Sequence, residues 1–293
     1  MQKSKKLALF ILIIAVVVIT AMLYVSNRFI FISEYKIKYE KLPNTFDGYK
    51  IVLLSDLHSS EFGKGNKAIL KKVRRIDPDM IVMTGDMVNS TDRDFSIFLD
   101  LAKSLAASYD VYFIAGNHEQ SLSPADRSYI YYELGRMRVQ VLDNEKVSIA
   151  RGEERLNLYG LWINMRYYSS RNNEYVKENA ETYYLSTDRI EKLLGKNDGQ
   201  EFSLLLTHNP LYAESYIKWG ADLTLCGHVH GGMIRLPFVG GIYSPERTFF
   251  PEYDGGLYPF GEQNLVVSRG IGNGNFGFRF LNCPEIVTIE LYK

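Results

Sequence analysis

Cysteine is almost missing from this chain: Cys226 and Cys283 are the only two in 293 residues. With no CxxC pair and no cysteine cluster, a disulfide framework and a thiolate zinc site are both excluded. One bond between the two stays open, although two separate buried thiols is the simpler reading. Net charge is missing as well, since Lys+Arg and Asp+Glu each total 34. That removes bulk charge as an argument for nucleic-acid binding, and no nucleic-acid partner is expected. No internal repeat or low-complexity stretch is found, which sets aside a repeat architecture. What remains is ordinary for a globular protein, with 46% hydrophobic and 23% charged residues. The length allows one large domain or two small ones, with a core big enough for an enzyme.

The first informative segment is apolar. Residues 7–25 contain only Thr20 as a clearly polar side chain. At ~1.5 Å rise per residue such a helix just spans a bilayer's hydrocarbon core. A cleaved secretory signal is the rival, but its apolar part would be unusually long and no small-x-small site stands near Ala21. An uncleaved single-pass anchor over residues 1–28 is therefore expected, in the cell membrane. Lys3, Lys5 and Lys6 before it argue that the amino end stays in the cytoplasm and the rest lies outside. Lys36, Lys38 and Lys41 on the far side count against that orientation.

Residues 29–45 read as a linker or strand, and a catalytic domain is expected over 46–293. Short branched apolar runs then alternate with amphipathic helices. Residues 50–55 (KIVLLS), 80–84 (MIVMT) and 111–115 (VYFIA) read as buried strands. Residues 66–76 and 95–105 carry apolar side chains at helical spacing. Ser123 caps a helix to about Met137, with Pro124 at its first position. Residues 139–142, 147–150 and 157–162 look like meandering strands, and 165–187 like an inserted Tyr-rich loop. A helix at 189–194, a strand at 202–207, a helix at 211–218 and a strand at 221–226 restore the alternation. Residues 265–268 and 286–291 look like closing strands. Fully apolar strands between helices mean a sheet covered on both faces.

Polar clusters follow five of these strands. They are Asp56-Leu57-His58, Gly85-Asp86, Gly116-Asn117-His118-Glu119, Thr207-His208-Asn209 and Gly227-His228-Val229-His230. In open α/β sheets ligands bind beyond the carboxyl ends of strands, so the five clusters should meet in one crevice. All five histidines of the chain lie in them. A single histidine at a strand end is more often structural than a ligand, but the whole complement there is hard to explain as packing. Imidazole and carboxylate without thiolate suit zinc, manganese or iron. The groups are too many for one ion and suit two, sharing a bridging carboxylate. Gly85, Gly116 and Gly227 each precede a candidate ligand at a sharp turn.

In order and spacing these blocks, DLH, GD, GNHE, a later lone His and GHVH, resemble the calcineurin-like metallophosphoesterases. The flanks resemble a membrane-anchored bacterial branch of that family. Met233 departs from the Gln expected after GHxHGG. The resemblance implies a four-layer α/β/β/α sandwich of two mixed sheets. It implies that Asp56, His58 and His230 hold one metal and that Asn117, His208 and His228 hold the second, with Asp86 bridging. It also implies that a hydroxide between the metals attacks phosphorus in line. His118 would protonate the leaving oxygen or stabilise the transition state, with Asp56 near enough to orient it, and Asn117 and His118 would contact substrate. Glu119 would orient its loop.

Residues 231–261 are rich in Gly, Pro and aromatics. They either wall a substrate pocket, face the bilayer, or simply pack a long loop. Arg235, Arg247, Arg269 and Arg279 are candidate phosphate contacts, with Arg269 singled out. A phosphodiester, pyrophosphate or phosphomonoester is the expected substrate class. The resemblance and the apolar helix together imply a lipid-linked or envelope substrate, with a UDP-2,3-diacylglucosamine-type pyrophosphatase as one form of the activity and a general envelope phosphodiesterase or phosphatase as another. A membrane-tethered metal-binding scaffold and a nuclease are the alternatives.

Overall fold

The computed structural model describes residues 2–169, 173–245, 247–274 and 277–293. The apolar run forms α1 (Gln2–Arg28). Its segment Lys5–Arg28 is long and apolar enough to cross a membrane, with a mean hydropathy of 3.0 and its most apolar stretch unburied. The first half of the chain then contributes β1 (Phe31–Lys38), β2 (Tyr49–Leu54), α2 (Lys67–Ile76), β3 (Met80–Met83), α3 (Ser96–Ala106) and β4 (Asp110–Phe113). A short α4 (Asn117–Gln120) leads to α5 (Pro124–Arg136), β5 (Gln140–Val141), β6 (Glu145–Arg151) and β7 (Glu154–Leu161). Next come α6 (Glu174–Glu178), α7 (Ala180–Tyr183), α8 (Thr187–Leu194), β8 (Ser203–Thr207), α9 (Ala213–Trp219) and β9 (Leu223–Cys226). The hairpin β10 (Arg235–Leu236) and β11 (Gly240–Gly241) precedes β12 (Gly256–Phe260), β13 (Gln263–Val267) and β14 (Glu285–Tyr292).

The strands form two six-stranded sheets, in the orders β1-β14-β2-β3-β4-β5 and β12-β13-β9-β8-β7-β6. Both are mixed. In the first, β2 to β5 run parallel while β14 is antiparallel to β2. In the second, β7, β8, β9 and β13 run parallel between the antiparallel edges β6 and β12.

Side-chain alternation explains why the strands read as unbroken apolar runs. Ile51, Leu53, Val82 and Ile114 point inward and meet Leu204, Leu206, Leu225 and Val266 of the facing sheet. Their neighbours Val52, Leu54, Ile81 and Phe113 point the other way, onto Ile69, Val73, Phe98 and Ile130 of the covering helices. On the far side Leu205 packs with Ile190, Tyr216 and Trp219 of α8 and α9. Successive residues of a strand face opposite sides, so a strand buried on both has no room for polar residues. The result is the expected sandwich of helices, two sheets and helices.

Several local expectations change. The juxtamembrane segment takes its strand alternative: β1 pairs in parallel with β14, from Phe31↔Glu285 to Lys38↔Tyr292, and closes the edge of the first sheet. The Tyr-rich stretch is not merely a loop, since it holds a single-turn 3-10 helix at Met165–Tyr168 followed by α6 and α7. Residues 170–172 of it lie outside the described residues. Within 231–261, where Glu246 also lies outside them, the reading missed the edge strand β12. Pro259 in that strand hid it, because proline is tolerated only where no ladder partner needs its N–H. Both cysteines are free, Cys226 buried and Cys283 half-buried. The Ser123 cap stands as expected, its Oγ accepting from Asp126 N at 3.1 Å.

The inter-sheet layer should dominate stability. Leu204 is fully buried and Leu193 on α8 is 41% exposed. Leu204→Ala should cost about 2–5 kcal/mol, and Leu193→Ala no more than about 0.5 kcal/mol. Urea unfolding followed by tryptophan fluorescence would separate the two.

Candidate metal centre

All five polar clusters lie at the carboxyl ends of their strands, three on the first sheet and two on the second, and they converge. Three groups of side chains bring potential ligand atoms within 4.8 Å of one another: Asp56, His58 and His230; His58, Asp86 and His118; Asp86, His208 and His228. The Nε2 atoms of His58 and His230 approach to 3.1 Å. Asp86 Oδ2 lies 3.1 Å from His208 Nε2 and 3.9 Å from His58 Nε2. Asp56 Oδ1 lies 3.6 Å from His230 Nε2 and 3.9 Å from His208 Nε2. The side-chain oxygen of Asn117 is buried and has no hydrogen-bond partner among the described residues.

The backbone is bent hard to achieve this. Asp56, His58, Asp86, His228 and His230 all have left-handed φ, between 47° and 73°. That region is unfavourable for such residues and is held only where the surroundings compel it. Cross-links between strand ends supply the compulsion. Asp56 N donates to Gly85 O and His58 N to Asp86 O, each at 3.0 Å, and Gly227 N donates to His208 O at 3.1 Å. The Asp56 carboxylate accepts from His228 N at 3.1 Å, and Asp86 Oδ1 accepts from His118 N at 2.8 Å. Gly85 does need its φ of 90°. At Gly116 the reason is close approach rather than backbone angle, because a Cβ there would overlap the Asp86 carboxylate.

Hydrogen bonds on the far side of each ring decide which nitrogen faces the centre. His58 Nδ1 donates to Asn89 Oδ1 at 3.0 Å, and His208 Nδ1 donates to the Thr84 carbonyl at 2.6 Å. In their neutral form both rings therefore turn a lone pair at Nε2 inward, where for His208 a metal ion would take the place of the proton that Asp86 otherwise favours. Lone pairs and carboxylate oxygens facing one another at these distances call for a cation between them, so the residues fit a metal centre. His118 is set the other way. Its Nδ1 accepts from Ser90 N at 3.0 Å, so the neutral ring carries its proton on Nε2. Ser90 rather than Asp56 makes the orienting contact on His118, and Asp86 is the carboxylate grouped with it.

Burial shapes the charges. It lowers the pKa of His58, and for His230 burial together with His58 and Arg279 pushes it well below the ordinary value. Both rings thus favour the neutral, ligating form. Burial works against charging His208 as well, but the Asp86 carboxylate outweighs it and lifts the imidazole to about 9. Burial would raise Asp86, yet His208 and its neighbours hold it well below the carboxylate range. Glu119 is pushed up to about 7 by burial and by Asp86. It is also the hub of the loop, accepting backbone N–H bonds from Asp86, Met87, Val88 and Gly116 at 2.7–3.2 Å.

Beyond the ligand candidates lies a cavity of about 340 Å³, reached by Asn117, His118, Met233, Tyr243 and Arg247. Of the four arginines proposed for phosphate, only Arg247 lines it among the described residues. Arg269 is turned away and tied to Glu285 by Nε and Nη2, at 2.9 and 2.6 Å. Arg235 pairs with Asp254 at 3.1 Å. Arg279 is wholly buried behind His230. In the Gly-rich segment Tyr243 and Ser244 wall the cavity, while Phe238, Phe249 and Phe250 are exposed. Sequence reasoning missed Asn89 and Ser90, which choose the tautomers, and Tyr168, whose ring stands 5.1 Å from that of His228. No local pattern marks any of the three.

Known proteins agree with this geometry. Residues 49–232 match the family described as calcineurin-like phosphoesterase. The uncharacterised metallophosphoesterase YkuE of Bacillus subtilis is 28% identical over 281 residues, covering 92% of this chain and 87% of its own. The phosphodiesterase YaeI of Escherichia coli is 30% identical over 251 residues, covering 83% of this chain and 82% of its own. Among solved structures, a dimetal phosphatase from Danio rerio is similar with a TM-score of 0.47 and 14% identity, covering 84% of this chain and 94% of its own. With the family matched across most of the sandwich and its motif residues gathered at one point, the chain belongs to the calcineurin-like phosphoesterases and is a phosphoester hydrolase.

Proposed function

We propose that this hydrolase cleaves a phosphodiester or pyrophosphate bond at a membrane surface, using two divalent ions held between the sheet ends. The position of Asp86 carries the reading, because one carboxylate oxygen faces both His58 and His208 and so serves two clusters at once. Asp56, His58 and His230 would hold the first ion, and Asn117, His208 and His228 the second. The donors suit manganese, zinc or iron. Bound there, the ions would bring the pKa of water toward neutrality and balance charge on the phosphoryl oxygens.

The protein's own groups complete the reaction. His118 carries its proton on Nε2, with the Ser90 N–H keeping the ring in that tautomer, and donates a hydrogen bond from it to the phosphoryl or leaving oxygen as charge builds there, while the leaving oxygen takes its proton from solvent. Asn117 and His118 border the space where the phosphoryl group would sit, and Arg247 is placed to bind a further phosphate or headgroup oxygen. A thiol nucleophile is disfavoured, because burial raises the Cys226 pKa well above its ordinary value.

An apolar helix at the amino end favours a substrate that stays in the membrane, and a lipid-linked pyrophosphate of the UDP-2,3-diacylglucosamine kind fits that setting. The relative named a phosphodiesterase supports a diester. Lys3, Lys5 and Lys6, at the start of the helix and ahead of its apolar run, support a catalytic domain outside the cytoplasm.

The test uses the full chain in detergent, loaded with manganese and assayed on bis-p-nitrophenyl phosphate and p-nitrophenyl phosphate. Asp86→Ala should lose metal and activity together. His118→Ala should keep its metal and lose about 10²–10⁴ in kcat. A wild-type protein that binds no divalent metal would sink the reading. A separate expectation concerns Arg247→Ala, which should raise KM for the diester while kcat changes little. Equal KM in variant and wild type would remove Arg247 from the substrate site.

A further inference from the structure

The apolar helix does not end in a free tether. Its last turn is bonded into the domain next to the metal centre. Ser26 is buried, and its Oγ accepts from Leu281 N at 2.9 Å. Asn27 brackets Arg279 from both sides, with Nδ2 donating to the Arg279 carbonyl at 2.8 Å and Oδ1 accepting from Arg279 N at 2.9 Å. The same Oδ1 accepts from Asn273 Nδ2 at 3.0 Å. Asn273 lines both the catalytic cavity and a groove of about 680 Å³ between the helix and the domain.

The segment held in this way is the one that grips His230. Asn282 Nδ2 donates to the His230 carbonyl at 2.7 Å and to the Met233 carbonyl at 3.3 Å. Arg279 reaches the same His230 carbonyl with Nη1 at 3.4 Å and stands 3.5 Å from the ring at Nη2. Its Nε donates to Gly272 O at 2.9 Å. One strand-like pairing continues the contact, with Arg235 N donating to Phe280 O at 3.1 Å. A side chain at left-handed φ, as His230 is, depends on such outside support for its aim.

We propose that the last turn of the apolar helix is part of the support of the metal centre, with Ser26 and Asn27 acting as positioning residues for His230. The path runs from the helix end to the backbone of residues 279–281, through the Arg279 and Asn282 side chains, to the His230 carbonyl and ring. This rests on the metal-centre reading, to which it adds that the anchor and the site are one unit. Removing the helix would then weaken metal binding as well as membrane attachment.

The experiment compares full-length wild type, the double variant Ser26→Ala/Asn27→Ala, Ser26→Ala, Ser26→Thr and Tyr24→Ala in the same detergent. Two readouts are taken: manganese affinity by electron paramagnetic resonance titration, and amide hydrogen exchange by mass spectrometry. The double variant should bind manganese about tenfold more weakly, the size usual for losing an outer partner of a ligand. Exchange should quicken at residues 277–283 and again at 230–236, while β8 and β9 stay protected and so report an intact fold. Ser26→Thr keeps the hydroxyl and should recover the protection that Ser26→Ala loses. Tyr24 is 69% exposed on the same turn, and Tyr24→Ala should leave both readouts as in wild type. Faster exchange confined to 277–283, with affinity and exchange at 230–236 unchanged, would overturn the proposal. A wild type that binds no manganese would strike the metal reading alone, since the exchange pattern still decides the coupling.

Discussion

The loops that carry Asp86 and His118 are held to each other chiefly by one buried carboxylate, that of Glu119. Glu119 takes N–H bonds from three consecutive residues after β3 and from Gly116 after β4. Burial and Asp86 push this carboxyl up to about 7, and the backbone amides that fill its lone pairs work against that shift by favouring the ionised form. The carboxylate acts as a clamp: it fixes the turn that points Asp86 at both ligand clusters, and it fixes the short helix that presents Asn117 and His118.

The sandwich supplies the other half of the geometry. Two mixed sheets stack with their parallel strands ending at the same rim, so candidate ligands from β2, β3 and β4 face those from β8 and β9. Neither sheet alone holds the full set. Packing between Leu53, Val82 and Ile114 on one side and Leu204, Leu206 and Leu225 on the other therefore sets the distance between the two half-sites. A close-packed interior transmits small displacements rather than absorbing them, which ties the stability of the inter-sheet layer to the separation of His58 and Asp86 from His208 and His228.

Much of this was legible in the sequence. Each ligand candidate sits directly after a short apolar run, so strand and ligand form one local pattern that survives without any knowledge of the fold. The double burial of the strands was equally plain from Ile51–Leu54 and Leu204–Leu206. What stayed hidden depends on partners distant in the chain. Arg247 and Arg269 look alike as residues, and only the place of Glu285 beside Arg269 tells them apart. Asn89 and Ser90 act through hydrogen bonds on His58 and His118, about 30 residues away in sequence. The role of Ser26 and Asn27 is set by residues more than 250 positions later, and an apolar helix carries no mark of such contacts.

The pairing of β1 with β14 joins residue 31 to residue 285 in parallel register. Bringing such distant segments together is entropically expensive relative to closing a local turn, and contacts of this range form slowly. During synthesis the apolar helix and β1 are made long before β14 exists, leaving β1 as a strand without a partner. Unpaired strand edges invite wrong neighbours. The charged and hydroxyl side chains along β1, Ser33, Glu34, Lys36 and Lys38, are the kind that discourage such encounters while the chain waits for its far end. The same pairing makes assembly of this enzyme a late event, so that the contacts linking the apolar helix to the candidate metal site form only after nearly all of the sequence has been made.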